Sequence, residues 1–202
     1  MTNILFIKPS GLDKTAPETL HPLGAMSLAA YLRHVGRDDR VQIVDTRLHL
    51  DDSVDANLDR AMFVPDVVGL SALTIESRSM TAYARAARAR WPGSVIVCGG
   101  PHASSYPREI VLETDVDVAV QGEGEITFVE LLEAIERGDA FDRVNGLTFR
   151  RDSVAISTPP REFIQDLDAL PWPAWDLVDI EAYAARPCMS MLPKRRYMTL
   201  FP

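Results

Sequence analysis

The sequence has few cysteines and no long apolar run. Its two cysteines, Cys98 and Cys188, stand far apart, and neither belongs to the closely spaced pairs that bind metal ions or exchange disulfides. A disulfide framework is therefore not expected. The N-terminus has no basic segment followed by an apolar stretch, and no run approaches the ~18 apolar residues that a membrane span requires. We expect a cytoplasmic protein without a membrane partner.

Positive charge is also scarce. The chain carries 21 Lys and Arg residues against 29 Asp and Glu residues, which gives a formal net charge of −8. Nucleic acid is therefore not an expected partner, because lysine and arginine must neutralise its phosphates. The remaining composition, 47% hydrophobic and 25% charged over 202 residues, is typical of one globular domain or of one domain with an appendage.

Common nucleotide-binding patterns are missing as well. The first apolar run leads into Lys8-Pro9-Ser10-Gly11, where a dinucleotide-binding fold would carry GxGxxG, and the chain contains no GxxxxGK[ST]. The same loop lacks the acidic pair of a receiver domain and the Ser/Thr-rich phosphate loop of a flavin module. A flavodoxin-like module that binds a flavin or a nucleotide stays open as a second hypothesis. A ligand-free interaction domain is a third.

Five short apolar runs alternate with amphipathic segments along the first 140 residues. The runs are nearly continuous rather than alternating, which indicates strands buried on both faces. This repetition predicts a doubly wound α/β domain, flavodoxin-like or Rossmann-like, with a five-stranded parallel sheet in the order 2-1-3-4-5. The predicted strands are Asn3–Lys8, Val41–Asp45, Asp66–Ser71, Ser94–Cys98 and Asp117–Val120. The predicted helices are Leu23–Val35, Ser53–Met62, Ile75–Arg90, Pro107–Glu113 and Glu125–Arg137.

The pattern changes after the fifth predicted helix. Leu147–Arg150 and Ser153–Ile156 flank Arg151-Asp152 and predict a β-hairpin. The next segment, Pro159–Tyr183, is rich in proline and contains two tryptophans. We interpret it as an extended connector whose aromatic side chains pack on another surface.

These segments predict three parts. Residues 1–140 form the ligand-binding domain, residues 141–158 form a hairpin appendage, and residues 159–202 contain the connector and the start of a further domain. The last apolar stretch, Arg196–Phe201, has the character of a strand at that start.

Glycines follow two neighbouring predicted strands at their carboxyl ends. The fourth strand leads into Gly99-Gly100-Pro101, and the fifth leads into Gln121-Gly122-Glu123-Gly124-Glu125. Glycine lets the backbone approach a ligand closely, because it has no Cβ. Either loop alone is explained by an ordinary turn, but two on adjacent strands favour a binding site, since ligands bind beyond the carboxyl ends of such sheets.

Polar residues near these loops have ordinary explanations too. His102 lacks the companion His, Asp or Glu residues that a metal site or a general base would need. Ser71 and Thr74 could donate hydroxyls to a polar ligand tail or cap the next helix. Glu123 and Glu125 stand at the start of a predicted helix, where the dipole alone favours carboxylates.

Three motifs follow one another in a familiar order. They are HPLGAMSLAAYLR at His21–Arg33, VCGGPHA at Val97–Ala103 and VQGEGE at Val120–Glu125. Together they resemble the N-terminal cobalamin-binding domain of cobalamin-dependent radical S-adenosylmethionine enzymes. The segment DLDALPWPAWD, at Asp166–Asp176, is similar to the connector that joins this domain to the catalytic barrel.

The resemblance implies that a corrin ring lies over the carboxyl ends of the strands and that its nucleotide tail inserts beside them. Glycines would make room for both. The residues that would contact the cofactor are Pro9, Ser10, Ser71, Ala72, Leu73, Thr74, Gly99, Gly100, Pro101, His102, Ala103, Gln121, Gly122, Glu123, Gly124 and Glu125.

The chain departs from related patterns in two ways. Cobalamin domains of the methionine synthase type carry a cobalt-ligating histidine in DxHxxG after the first strand, whereas this loop reads Lys8-Pro9-Ser10-Gly11-Leu12-Asp13. The resemblance therefore implies no histidine on the lower face of the cobalt. The CxxxCxxC motif that binds the family's 4Fe-4S cluster is absent, and we expect the chain to be truncated before it.

The resemblance thus implies a binding module rather than a catalyst. Its full-length parent would be a radical S-adenosylmethionine methyltransferase, or a ring-forming cyclase, that also binds a 4Fe-4S cluster and S-adenosylmethionine. The expected partners are the parent's C-terminal barrel and a small-molecule or peptide substrate.

Overall fold

A computed structural model of the chain describes residues 1–10 and 20–184. Seven strands form one sheet in the order β2-β1-β3-β4-β5-β6-β7. The strands are β1 (Asn3–Lys8), β2 (Arg40–Asp45), β3 (Val67–Ser71), β4 (Val95–Gly99), β5 (Val118–Val120), β6 (Leu147–Arg151) and β7 (Val154–Ser157). The helices are α1 (Leu23–His34), α2 (Val54–Leu58), α3 (Ser77–Arg90), α4 (Pro101–Ser105), α5 (Pro107–Glu113), α6 (Glu125–Arg137) and α7 (Ile180–Ala184).

The first five strands are parallel and follow the predicted order, so the α/β fold class is confirmed. Alternate residues of β1 divide between two cores: Leu5 and Ile7 face one side, and Ile4 and Phe6 face the other. Helices α3 and α5 cover the first side, while α1 and α6 cover the second. This burial on both faces explains why the strands are apolar almost throughout.

The sheet has two strands more than the five predicted, because the hairpin continues it. Strand β6 pairs antiparallel with β5, for example Val118 with Phe149, and β7 pairs antiparallel with β6. The two-residue turn has positive φ at Asp152 (48°) and Ser153 (68°), the geometry that suits the twist of a hairpin. The hairpin thereby covers the edge that β5 would otherwise expose.

Several shorter elements differ from the predictions. Helix α4 lies in a segment predicted as a loop and begins at Pro101, a position where proline costs no hydrogen bond. The connector was predicted to be extended throughout, but it contains 3-10 turns at Leu167–Ala169 and Trp175–Leu177 and ends in α7. The predicted strand at Arg196–Phe201 lies outside the described residues, as does Cys188.

No helix within residues 1–10 and 20–184 combines the length and the apolar character needed to cross a bilayer.

Candidate binding site at the carboxyl edge of the sheet

A cavity of about 160 Å³ lies between the sheet and helices α1 and α6, near the carboxyl ends of the parallel strands. Almost all of its lining side chains are apolar or absent, and Ser71 is the one polar exception. Six of the lining residues are glycines: Gly24, Gly69, Gly99, Gly100, Gly122 and Gly124. The remaining lining residues are Phe6, Ala25, Leu28, Leu70, Val97, Val120 and Phe128.

The floor of the cavity is a row of residues on adjacent strands. Phe6 of β1 pairs with Gly69 of β3, which pairs in turn with Val97 of β4. The Phe6 ring lies across Gly69 and also contacts Phe128 of α6, with ring centroids 5.4 Å apart. Gly69 therefore serves the floor by leaving room for an aromatic ring from the neighbouring strand.

Two of the six glycines that line the cavity face space that the protein does not fill. A Cβ built on Gly99 or on Gly122 would meet no heavy atom within 4 Å. Gly122 has a φ of +71°, so its backbone conformation by itself favours glycine. Gly99 does not have a positive φ, and no neighbouring atom would clash with a side chain there. Neither backbone conformation nor packing therefore explains why this residue is glycine.

Gly100 has a different explanation. Its φ is +89°, and a Cβ there would lie 3.0 Å from the carbonyl oxygen of Ala72. The backbone of the β4–α4 turn therefore packs directly on the segment that follows β3. This contact fixes the turn that carries Gly99 into the cavity.

Helices α1 and α6 form the two walls. Leu28 of α1 approaches the start of α6 so closely that a Cβ on Gly124 would lie 3.2 Å from Leu28 Cδ2. One turn earlier on the same face of α1, a Cβ on Gly24 would lie 3.9 Å from Ser71 Oγ. Gly124 thus lets α1 pack closely on the start of α6, and Gly24 lets α1 lie close to the end of β3. The cavity between the two helices and the sheet is therefore a narrow slot.

A buried ion pair stands where the strand order reverses between β1 and β3, the place where doubly wound sheets bind ligands. The Lys8 ammonium donates to the Glu76 carboxylate and to the carbonyl oxygen of Ser71, the latter at 3.3 Å. Glu76 also accepts a hydrogen bond of 2.7 Å from the backbone N–H of Leu73. Burial lowers the pKa of Lys8, and the Glu76 carboxylate opposes that shift.

The predicted contact residues fall into two groups. The cavity is lined by five of them: Ser71, Gly99, Gly100, Gly122 and Gly124. The other eleven lie around it rather than in it: Pro9, Ser10, Ala72, Leu73, Thr74, Pro101, His102, Ala103, Gln121, Glu123 and Glu125.

Some of these surrounding residues are held by other parts of the chain. The Ser10 N–H donates to Thr46 Oγ1 at 2.8 Å, and Gln121 Oε1 accepts from Thr148 Oγ1 at 2.9 Å. The Glu123 carboxylate accepts a hydrogen bond of 2.6 Å from the Ile164 N–H. They therefore support the loops around the cavity.

His102 is buried on α4 and packs on Tyr106, with ring centroids 5.5 Å apart. Its Nδ1 has no hydrogen-bond partner among the described residues. Burial lowers the pKa of the imidazole, so the ring is neutral near pH 7. The structure places His102 outside the cavity, in a separate cleft with Glu109 and Glu113.

The cavity offers binding surface but no chemistry of its own. Cys98, on the opposite face of β4, is buried, and burial raises the pKa of its thiol to about 12. Within the described ranges, no group of three or more His, Cys, Asp or Glu residues could hold a metal ion. The arrangement suits a flat apolar ring that enters beside the strands.

Sequence reasoning missed most of the apolar lining. The floor residues Phe6 and Val97 lie within strands that the sequence predicts to be buried on both faces, so nothing distinguishes them from residues of the hydrophobic core. Gly69 carried a usable signal, because an isolated glycine inside an apolar strand often marks a close approach of another group.

Comparison with known proteins identifies the family and the fold. Residues 9–132 match the model of the B12 binding domain. The uncharacterized methyltransferase PH0819 of Pyrococcus horikoshii is 30% identical over 90% of this chain. The anaerobic magnesium-protoporphyrin IX monomethyl ester cyclase of Synechocystis is 33% identical over 83% of it. The chain spans 40% and 34% of the lengths of these two relatives.

The fold also matches a solved structure. The radical S-adenosylmethionine methyltransferase TsrM from Kitasatospora setae superposes with a TM-score of 0.67 and 22% identity, over 79% of this chain and 30% of that protein. The B12-binding model covers more than half of the residues, including the cavity-lining strands β3, β4 and β5; β1 precedes the matched range. The chain belongs to the B12-binding domain family.

Proposed function

We propose that this chain holds cobalamin at the carboxyl edge of its sheet, with the nucleotide tail in the glycine-lined cavity between α1 and α6. The observation that carries the proposal is the open space at Gly99, where a Cβ would meet nothing within 4 Å. Neither the backbone nor the packing of the protein requires glycine there. Gly93 has the same freedom, but only Gly99 of the two lines the cavity, where the missing side chain leaves room for a ligand.

The residues present fit this cofactor. An apolar slot floored by Phe6 and Val97 accepts the flat ring of the tail, and Ser71 supplies a hydroxyl at the rim. Because Gly99 and Gly122 carry no side chains, nothing projects from the ends of β4 and β5 at these positions. The wide corrin ring can therefore lie on this edge of the sheet. Bound cobalamin supplies a cobalt centre that carries a methyl group, while the chain contributes binding and orientation.

The loop after β1 would offer no histidine to the cobalt. The loop after β1 begins Lys8-Pro9-Ser10, and the sequence places no histidine before His21. Within the described part, Lys8 is engaged with Glu76 rather than turned to a ligand. We infer that cobalamin binds with its base displaced and without a protein ligand from this loop.

The chain acts as the cofactor module of a radical S-adenosylmethionine enzyme, and the activity we propose for that enzyme is methyl transfer. Its relatives include proteins named as methyltransferases and a cyclase. The iron–sulfur cluster and S-adenosylmethionine would bind to a catalytic barrel, because the chain has no CxxxCxxC. Phe163 and Trp172 on the connector are 70% and 80% exposed, and they offer that barrel an apolar surface. Its substrate would be a small molecule or a peptide, and its compartment the cytoplasm.

A paired substitution tests the cofactor site. Gly99→Leu places a side chain in the open space, whereas Gly93→Leu places the same side chain at a glycine that also has nothing within 4 Å but lies outside the cavity. We expect Gly99→Leu to weaken cobalamin binding by about tenfold or more and Gly93→Leu to leave it unchanged. Equal binding by both variants would place the cofactor elsewhere.

A further inference from the structure

We propose that the connector is a clamp that ties α1 to α6 and thereby slows the release of the cofactor. None of the connector's described residues lines the cavity, so it acts through the two walls. This inference rests on the proposed function, since it assigns positioning residues to the same site.

The first half of the connector is fixed to α6 and to the loop before it. The Ile164 N–H donates to the Glu123 carboxylate at 2.6 Å, two residues before α6 begins. The Arg161 guanidinium donates to Thr127 Oγ1 at 2.7 Å and pairs with the carboxylate of Glu130. Two contacts on the first turns of α6 and one just before it hold this part of the connector against the α6 wall.

The second half is fixed to α1. The Ala174 N–H donates to the carbonyl oxygen of Met26 at 3.1 Å, and the Ala174 side chain is buried against Ala29 and Ala30. Asp176 and Arg33 form a two-pronged ion pair with distances of 2.8 and 2.9 Å. This part of the connector therefore moves with the α1 wall.

A third anchor follows at the end of the connector. The buried Tyr183 hydroxyl donates to Asp45 Oδ2 at 2.7 Å, at the carboxyl end of β2. Its ring packs on His21, with centroids 4.4 Å apart, and His21 also contacts Trp175 at 5.0 Å. The contact with His21, two residues before α1, fixes the approach to that helix from the side opposite α6.

These anchors bear on the cavity because α1 and α6 are its two walls, and the walls meet where Leu28 of α1 packs against Gly124 at the start of α6. A bulky cofactor tail leaves such a narrow slot more easily when the walls separate. Separation stretches the span between Ile164 and Ala174, which is attached to one wall at each end. The connector must then give up contacts on one side before the slot can widen.

Two substitutions that do not touch the cavity test the clamp. Asp176→Asn removes the ion pair with Arg33 on α1, and Arg161→Gln removes the contacts on α6. Asp142→Asn is the matched control, because it breaks a similar Arg–Asp pair with Arg151 beside the hairpin. Cobalamin is bound to each 202-residue chain and chased with an excess of free corrinoid, and the rate of release is measured.

We expect each clamp variant to release cobalamin about two- to fivefold faster than the unaltered chain, as the loss of a partly exposed ion pair allows. The double variant should release it faster than either single variant but by less than the product of the two effects, because detachment at either end of the span is enough to widen the slot. Asp142→Asn should release it at the unaltered rate. Release rates equal to the control in all three clamp variants would overturn the inference.

The rate of amide hydrogen exchange in the connector distinguishes a clamp from a purely structural segment. Coupling is reciprocal, so if connector docking retains the cofactor, the cofactor must stabilise connector docking. Bound cobalamin should therefore slow exchange of the Ala174 amide, although that residue lies outside the cavity. Unchanged exchange with cobalamin bound would overturn the clamp while leaving the proposed function intact. Failure of the unaltered chain to bind cobalamin would overturn both.

Discussion

The aromatic ring of Phe6 lies across the α-carbon of Gly69, so that a Cβ on Gly69 would come within 2.5 Å of Phe6 Cδ1. The two residues pair across β1 and β3, and both line the cavity. One missing side chain thus sets the position of the ring that floors the site.

Gly69→Ala should damage both the fold and the site. The added methyl group forces the Phe6 ring away from β3, and such overpacking costs about 1–3 kcal/mol of unfolding free energy. The displaced ring has the cavity on its free side, so cobalamin binding should fall as well. Urea denaturation and a cobalamin titration measure the two effects. Gly93→Ala is the control, and a Gly69→Ala protein that matches it in both measurements would contradict this picture of the floor.

The Lys8–Glu76 pair should be costly to break from one side. The side chains are only 11% and 7% exposed, so Glu76→Gln leaves the Lys8 ammonium buried without its counter-charge. Removing one partner of a buried pair destabilises a protein by about 3–5 kcal/mol. Chemical denaturation near pH 7 measures the loss.

The double variant Lys8→Met with Glu76→Gln distinguishes this account from a general packing defect. It removes the unpaired charge, so it should be more stable than Glu76→Gln alone. A double variant that is less stable than either single variant would show that the charge is not the cause.

His102 should make stability fall in mild acid. Burial lowers the pKa of the folded-state imidazole below its ordinary value of 6.5. Below that pH the unfolded chain takes up a proton that the folded chain refuses, so the free energy of unfolding decreases as the pH falls. The buried His21, whose pKa is lowered by burial too, adds to the same trend.

His102→Asn should flatten that dependence in part. Unfolding free energies measured by urea denaturation at several pH values between about 7 and about 5 give the slope. The variant should lose less stability over this range than the unaltered protein. A slope equal to that of the unaltered protein would mean that His102 does not titrate on unfolding.

The parallel part of the sheet follows directly from the sequence, because apolar runs such as Asn3–Lys8 are bounded by clear breaks and alternate with helices. The sequence also predicts the hairpin formed by Leu147–Arg150 and Ser153–Ile156, but it does not predict that this hairpin joins the sheet. Pairs such as Val118 with Phe149 decide which sheet edge a hairpin joins. These two residues are distant in sequence, and the residues next to them give no signal of the pairing.

The candidate site divides in the same way. Glycines at or just beyond strand ends, such as Gly99 and Gly122, stand out because no strand or helix needs them. Phe6 and Val97 do not, because a residue on the floor of a cavity and a residue in the core have the same apolar character. The docking of the connector was also out of reach, since contacts such as Asp176 with Arg33 join residues far apart in sequence.

The most direct measurement is a titration of the purified 202-residue chain with hydroxocobalamin, followed by its visible spectrum and by gel filtration. The account predicts stoichiometric binding, colour that stays with the protein, and a spectrum in which the cobalamin base is displaced. A chain that is folded by circular dichroism but retains no corrinoid, or one that carries a yellow flavin spectrum, would contradict it.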